Sequence, residues 1–246
     1  EILSTPAYSD GKIFVQSVND RIAALDEKTG ELIWAYDNQT PILTLRGTSS
    51  PIVQNGLVIA GISNGKVIAL RADSGEPVWE HRVMLPEGRS ELDRIVDVDA
   101  DPLPLGASIY AASYQGRLKR LSIRDGRPRW EYKSSSFQDL AEGYGQIYLV
   151  DQDDSVHAVD QNTGESIWIQ ESFARRQLSS PKAFSNYVAI GDFDGYLHII
   201  AQRDGRLMGR RKIDRSGIRS NMVVSEGILY ILTNSGSLQA IQVNLR

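Results

Sequence analysis

The chain has 246 residues, of which 41% are hydrophobic and 24% are charged, and its formal net charge is −4 at pH 7. This composition is typical of a globular protein, and the weakly acidic balance gives no general attraction to nucleic acid. The sequence contains no cysteine, which excludes disulfides, thiolate metal sites and cysteine nucleophiles.

The N-terminal residues predict a group of short antiparallel strands. Residues 5–8 lead in, and strands are predicted at 12–16, 21–25 and 32–36, because apolar and polar side chains alternate there as they do on a strand. The last two strands are joined by a turn that ends at Gly30, where we expect a positive φ. Asp26 opens that turn, and its carboxylate is suited to accept backbone N–H bonds. Trp34 follows the glycine by four residues.

The same pattern recurs along the whole chain. The second copy predicts strands at 50–53, 57–60, 66–70 and 78–79. A fifth copy turns at Gly205 and has Gly209 in place of the tryptophan, and a sixth begins at Gly236. The four complete turns pair a glycine with a tryptophan four residues later, at Gly30 and Trp34, Gly75 and Trp79, Gly126 and Trp130, and Gly164 and Trp168.

The spacing of the repeats predicts the fold class. Successive turn glycines are 45, 51, 38 and 41 residues apart, and a period near 40 with strand alternation is typical of propeller blades. We therefore predict an all-β protein of four-stranded antiparallel blades that forms a single β-propeller domain over residues 1–246. Each tryptophan is expected to pack as a wedge between neighbouring blades, with its N–H bonded to a partner.

The last copy predicts only three strands, at 222–224, 228–232 and 238–243, and no fourth strand before Arg246. Propellers usually close by completing a terminal blade with a strand from the other end of the chain. Only Glu1, Ile2 and Leu3 precede the first copy, too few for such a strand and its connection. We expect an N-terminally truncated piece whose closing strand lies upstream. The alternative is that six copies close by themselves.

Two connections between copies are unusually long. From the tryptophan to the proline that opens the next copy takes 17 residues after Trp34 and 23 after Trp79, but 13 after Trp168. The two long connections are consecutive and of the same type, so we expect them to emerge side by side on one face. Long insertions on one face of a repeat array commonly carry binding.

The long connections contain the candidate contact residues. The first contains Leu43, Leu45 and Arg46, and large aliphatic side chains beside an arginine indicate a contact surface. The second ends at Asp97 and Asp99, whose side chains point the same way if that piece is extended. An alternative stays open, in which Arg46 pairs with one of these aspartates and the leucines tuck under the loop.

Residues that suggest catalysis or metal binding have simpler interpretations. His157 and His198 share a repeat position that other copies fill with Lys119 or Ile68, which predicts a location near the surface and poor metal ligands. The acidic stretches 151–154 and 192–195 superficially resemble calcium loops, but the spacing and terminal glutamate of an EF-hand are absent. We interpret both stretches as turn chemistry.

Residues 203–219 contain seven cationic side chains. They could hold an anionic partner, or they could be outward positions of the last strands. No aromatic residues are interleaved to stack on bases, so nucleic acid is not an expected partner.

The turn motif, Ala-Leu-Asp-x-x-Thr-Gly-x-x-x-Trp at residues 24–34, resembles the tryptophan-docking repeat of quinoprotein-type propellers. Two further stretches resemble the BamB family more specifically: residues 43–47 (Leu-Thr-Leu-Arg-Gly) with Ser50-Pro51, and residues 91–94 (Glu-Leu-Asp-Arg) with Asp97-Val98-Asp99. Residues 148–152 and 191–197 are also similar to that family.

The resemblance implies a specific function. BamB is the periplasmic, lipid-anchored, non-catalytic propeller subunit of the outer-membrane β-barrel assembly machine. It has eight blades, of which this chain would hold about six, and no cofactor; its lipidated cysteine has no counterpart in this sequence. The implied partner is the POTRA region of the barrel subunit BamA, with nascent outer-membrane proteins as a further candidate. The implied contact residues are Leu43, Leu45, Arg46, Asp97 and Asp99.

Two other functions remain as alternatives. A pyrroloquinoline-quinone-dependent dehydrogenase has the same type of blade, but the resembling enzymes are far longer and commonly carry adjacent cysteines and a calcium site. A protein-binding propeller scaffold with a different partner is the other alternative.

Overall fold

A computed structural model describes residues 1–38, 49–63, 65–85 and 97–242. The described residues form 23 β-strands in six antiparallel sheets and contain no helix, so they offer no helical segment that could cross a membrane. The predicted all-β fold of four-stranded blades is confirmed. The chain divides into two compact units, residues 1–137 and residues 138–246, with three sheets in each. The predicted single domain over 1–246 stays a prediction.

The three sheets of residues 1–137 each have four strands that pair in chain order. Their bounds are β1 Ala7–Ser9, β2 Lys12–Gln16, β3 Ile22–Asp26 and β4 Leu32–Tyr36; β5 Ile52–Gln54, β6 Leu57–Ile62, β7 Lys66–Arg71 and β8 Pro77–Arg82; β9 Leu103–Leu105, β10 Ser108–Ala112, β11 Arg117–Ser122 and β12 Pro128–Lys133.

The sheets of residues 138–246 repeat this arrangement, and the last of them has three described strands. Their bounds are β13 Ala141–Gly143, β14 Gln146–Val150, β15 Val156–Asp160 and β16 Ser166–Gln170; β17 Lys182–Phe184, β18 Tyr187–Gly191, β19 Tyr196–Ala201 and β20 Leu207–Lys212; β21 Val223–Ser225, β22 Ile228–Leu232 and β23 Leu238–Gln242.

The tryptophans join consecutive sheets within a unit. Trp34 donates its indole N–H to the carbonyl of Ala72 at 3.1 Å, and Trp79 donates to the carbonyl of Ile123 at 2.9 Å. In the second unit Trp168 donates to the carbonyl of Gln202 at 2.8 Å. Each acceptor lies in the turn after the third strand of the sheet that follows in the chain, so these three indoles bridge consecutive sheets.

The turn glycines Gly75 and Gly126 each lie against the tryptophan of the preceding sheet. A Cβ built on Gly75 would lie 2.6 Å from Cε3 of Trp34, and one on Gly126 would lie 2.6 Å from the same atom of Trp79. Both glycines have positive φ, at 74° and 66°, which L residues other than glycine rarely adopt. The position therefore requires glycine for its backbone conformation and for the indole that covers it.

The apolar core lies between neighbouring sheets of each unit. In the first unit Trp34 packs with residues of β2, β3, β6 and β7, and Trp79 packs with residues of β6, β7, β10 and β11. In the second unit one cluster joins the sheets of β13–β16 and β17–β20, and another joins β17–β20 to β21–β23. This pattern follows from the side-chain alternation of inner strands that are buried on both faces.

Candidate partner-binding site

The predicted contact residues divide into two groups. Leu43, Leu45 and Arg46 lie outside the residues that the structure describes, whereas Asp97 and Asp99 are described. The prediction for the first three therefore rests on the sequence alone.

The C-terminal ends of the two long connections lie side by side. The backbone N–H of Ser50 donates to a carboxylate oxygen of Asp101, which links the end of the first connection to the end of the second. Gly61 of β6 lies beneath both: its N–H donates to Ser49 Oγ at 3.2 Å, and a Cβ on it would lie 2.4 Å from the carbonyl oxygen of Val98. The predicted adjacency is confirmed for these two ends.

The two predicted aspartates lie in a poorly solvated environment. Asp97 is only 2% exposed, and its backbone carbonyl accepts a hydrogen bond from the N–H of Tyr114 at 3.0 Å. Burial, and to a smaller extent the negative charges of Asp97 and Asp20, raises the pKa of Asp99 to about 7. At neutral pH, Asp99 is therefore divided between its protonated and ionised forms.

Asp20 completes an acidic cluster of three residues, Asp20, Asp97 and Asp99. It is 2% exposed, and its Oδ1 accepts hydrogen bonds from the N–H and the hydroxyl of Ser63 at 3.1 and 3.3 Å. Its Oδ2 has no hydrogen-bond partner among the described residues. Burial raises the pKa of Asp20, against the lowering effect of Ser63.

Asp20 was not predicted as a site residue. It occupies a turn, with a φ of 58°. The spacing of residues 20 and 97 carries no signal of their proximity, because the fold brings together turns from different sheets. Only a comparison of the equivalent turns in all copies, looking for an acidic side chain directed at the next sheet, could have identified Asp20 from the sequence.

The acidic cluster is suited to a cation that brings its own hydrogen-bond donors. Carboxylates held close together disfavour one another's ionised forms, and a guanidinium or ammonium group relieves that repulsion. In the described part of the chain, no group of three His, Cys, Asp or Glu side chains could hold a metal ion.

The predicted surface location of the two histidines is wrong. His157 is 8% exposed and His198 is 2% exposed. Each directs Nε2 at an aspartate of its own hairpin, Asp151 at 2.9 Å and Asp192 at 2.8 Å. The prediction assumed that a position occupied by Lys119 in another copy must be exposed. Most of the Lys119 side chain is nevertheless covered, and its ammonium group reaches Glu131 at 3.6 Å.

The two acidic stretches that resemble calcium loops are turns, as predicted. Asp151 Oδ1 accepts the N–H groups of Asp153 and Ser155 at 2.9 and 2.8 Å. Asp192 Oδ1 accepts the N–H of Tyr196 at 2.8 Å. These carboxylates close their hairpins and fix the neighbouring histidine.

Comparison with known proteins agrees with this architecture. The family described as outer membrane protein assembly factor BamB matches residues 1–170. The BamB of Pseudomonas aeruginosa is 42% identical over 204 residues, which are 83% of this chain and 54% of that protein. The chain thus spans about half the length of this curated relative.

Solved structures show the same fold. The crystal structure of BamB from Moraxella catarrhalis superposes with a TM-score of 0.92 at 29% identity, covering 98% of this chain and 72% of that one. A quinohemoprotein alcohol dehydrogenase from Comamonas testosteroni superposes with a TM-score of 0.72 at 13% identity, covering 94% of this chain and 51% of that one. At that identity the likeness to the dehydrogenase shows the propeller fold alone. By the family match and the shared fold, this chain belongs to the BamB family of outer membrane protein assembly factors.

Proposed function

We propose that this chain forms part of a non-enzymatic scaffold at the periplasmic face of the bacterial outer membrane. The scaffold binds the POTRA region of the barrel subunit BamA and supports the assembly of outer-membrane β-barrel proteins, with nascent barrel proteins as a second partner. The observation that carries the proposal is that the C-terminal ends of the two long connections meet beside the acidic cluster. Membership of the BamB family supports it.

The two connections would contribute different interactions. Leu43 and Leu45 insert into an apolar groove of the partner, where burial of one leucine is worth about 1.5–3 kcal/mol. Arg46 meets carboxylates or backbone carbonyls of the partner, since a guanidinium makes several hydrogen bonds at once. These three residues supply the affinity of the contact.

The acidic cluster would select for positive charge. Asp99 is the least buried of its three carboxylates and the best placed to take a partner cation or to orient Arg46. Asp97 is only 2% exposed and does not contact the partner directly. Its carboxylate instead adds negative charge beside Asp99. A partner cation therefore gains both a hydrogen bond and relief of carboxylate repulsion.

Binding to isolated POTRA domains tests the proposal. Leu45→Ala, Arg46→Ala and Asp99→Ala are each expected to weaken binding about tenfold or more, as truncation of a central interface residue does. The melting temperature of each variant checks that the fold is intact. Arg210→Ala is the matched control, because it removes an arginine from a different sheet and is expected to leave POTRA binding unchanged. If all three variants bind as tightly as the parent chain, the contact site lies elsewhere.

A further inference from the structure

Strand β20 is an unusually open sheet edge. It is the outermost strand of the sheet β17–β20, and all six of its residues are exposed. At the position where β4 and β8 bury Trp34 and Trp79, β20 has Gly209, and a Cβ there would meet no described atom within 4 Å. A backbone from another chain could approach closely at this point.

The edge is strongly cationic within an acidic chain. Residues 203–219 contain seven cationic and two anionic side chains, a net charge of +5, whereas the whole chain carries −4. Arg206 forms an ion pair with Asp204 at 2.8 Å. By contrast, no described carboxylate forms an ion pair with Arg210, Arg211 or Lys212.

These three cations flank the edge on both faces of the sheet. Arg210 and Lys212 lie opposite His198 and Tyr196, and their charged groups lie 5.5 and 4.2 Å from the centre of the Tyr196 ring. Arg211 lies opposite Leu197 and so occupies the other face. Cation–π contacts hold the first two side chains along the sheet and reduce the entropy lost when they bind an anion.

The main chain of β20 presents free hydrogen-bonding groups at the same residues. The N–H of Ile213 donates to the carbonyl of Gly195 at 2.8 Å, which places the backbone groups of Ile213 toward β19. Because these groups alternate along a strand, Gly209 and Arg211 also pair with β19. The N–H and C=O of Arg210 and Lys212 therefore point to the open edge.

We propose that β20 binds an extended acidic polypeptide segment, which adds to the sheet as a fifth strand. The backbone of the segment pairs with Arg210 and Lys212, and its carboxylates, at neighbouring positions, meet cations on both faces. An anionic membrane surface would engage cations that lie in one plane, whereas Arg210, Arg211 and Lys212 lie on both faces of a sheet edge. The residues of this surface are not those assigned to POTRA binding, and the proposal stands independently of them.

Fluorescence anisotropy with a labelled peptide that has three successive glutamates flanked by valines, so that its carboxylates lie on both faces of the added strand, tests the charge requirement. The parent chain should bind it and should not bind the counterpart with lysine in place of glutamate. The triple variant R210E/R211E/K212E is expected to weaken binding about tenfold or more, since it replaces attraction by repulsion. Arg206→Ala, which removes an already paired cation, should change the affinity by less than about twofold.

A proline comparison tests strand addition itself. Arg210→Ala removes only the charge, whereas Arg210→Pro also removes the N–H at the open edge and leaves the pairing with β19 intact. The Arg210→Pro variant should bind the peptide at least about fivefold more weakly than the Arg210→Ala variant, because one hydrogen bond is lost. Lys212→Pro and Lys212→Ala repeat the comparison if Arg210→Pro lowers the melting temperature.

Three results would overturn the proposal. The first is equal affinity of the proline and alanine variants, which would reduce the surface to simple charge attraction. The second is no binding of the acidic peptide by the parent chain. The third is binding to phosphatidylglycerol vesicles, lost in the triple variant, without binding to the peptide, which would make the ligand a membrane.

Discussion

The acidic cluster shows what individual residues contribute to the site. Asp97 and Asp99 were predicted from the sequence because they follow a long connection and alternate by two positions. Asp20 was not predicted, because its role depends on a contact between turns that are far apart in sequence. Burial and mutual repulsion, which raise the pKa of Asp99 to about 7, are properties of the folded chain and are absent from any local pattern.

The raised pKa of Asp99 predicts a pH-dependent cost to stability. The folded state keeps the proton on this group up to about pH 7, whereas the unfolded chain loses it near its ordinary pKa of about 4. The group therefore stabilises the fold at acidic pH, and this contribution is lost as the pH rises from about 4 to about 7. Asp99→Asn should raise the free energy of unfolding at pH 8 by roughly 1–3 kcal/mol and change it little at pH 4.

Urea unfolding of the parent chain and Asp99→Asn at both pH values measures this effect. Asp37→Asn is the control, because Asp37 is an exposed carboxylate on the same unit and should show no such gain. A larger stabilisation by Asp99→Asn at pH 4 than at pH 8 would contradict the burial of this charge.

At the scale of single elements, the turn motif was predictable because its chemistry is local. Asp26 Oδ1 accepts the N–H groups of Lys28 and Thr29 at 2.9 and 2.8 Å, and these bonds lower the pKa of Asp26, that of Thr29 most. All the partners lie within a few residues, so the sequence specifies the hairpin by itself. Strand β20 also forms without its tryptophan, since the pairing with β19 does not depend on that side chain.

The tryptophan wedges should dominate the contacts between consecutive sheets. Trp34→Ala is expected to lower the free energy of unfolding by roughly 3–5 kcal/mol, the scale for emptying a large buried aromatic site, and Trp79→Ala by a similar amount. Denaturant unfolding measures the change, with Leu32→Ala on the same strand as the control, because Leu32 is 55% exposed. Near-parental stability of both tryptophan variants would contradict the wedge role.

The turn glycines allow the indole contact to be separated from the backbone requirement. Gly30 and Gly75 have nearly equal φ, 71° and 74°. A Cβ on Gly75 would collide with the Trp34 ring, whereas one on Gly30 would meet no described atom within 4 Å. Gly75→Ala should therefore destabilise the chain by about 1–3 kcal/mol more than Gly30→Ala, the scale of an overpacked core.

Thermal unfolding of the two alanine variants side by side measures this difference. Equal losses would mean that positive φ alone selects glycine at these turns and that the indole packing contributes nothing there.

For the molecule as a whole, the repeat predicted the number and order of the sheets. Internal repetition is a strong signal of sheet structure because the same strand pattern recurs in every copy. The strands at 12–16, 32–36 and 228–232 were predicted with their observed bounds. The division into two compact units was not predicted, since every copy carries the same local pattern and nothing in it marks a boundary. The roles of Leu43, Leu45 and Arg46 stay predictions, because a binding loop is shaped by its partner as much as by its own sequence.

The central claim is that the two long connections form the surface that binds the POTRA region. The most direct test is the affinity of Arg46→Glu for isolated POTRA domains, measured by isothermal titration calorimetry beside Arg46→Ala and the control Arg210→Ala. Charge reversal should weaken binding more than truncation does, because repulsion is added to the lost contact, and the control should bind as the parent chain does. If Arg46→Glu binds the POTRA domains as tightly as the parent chain, the claim is wrong.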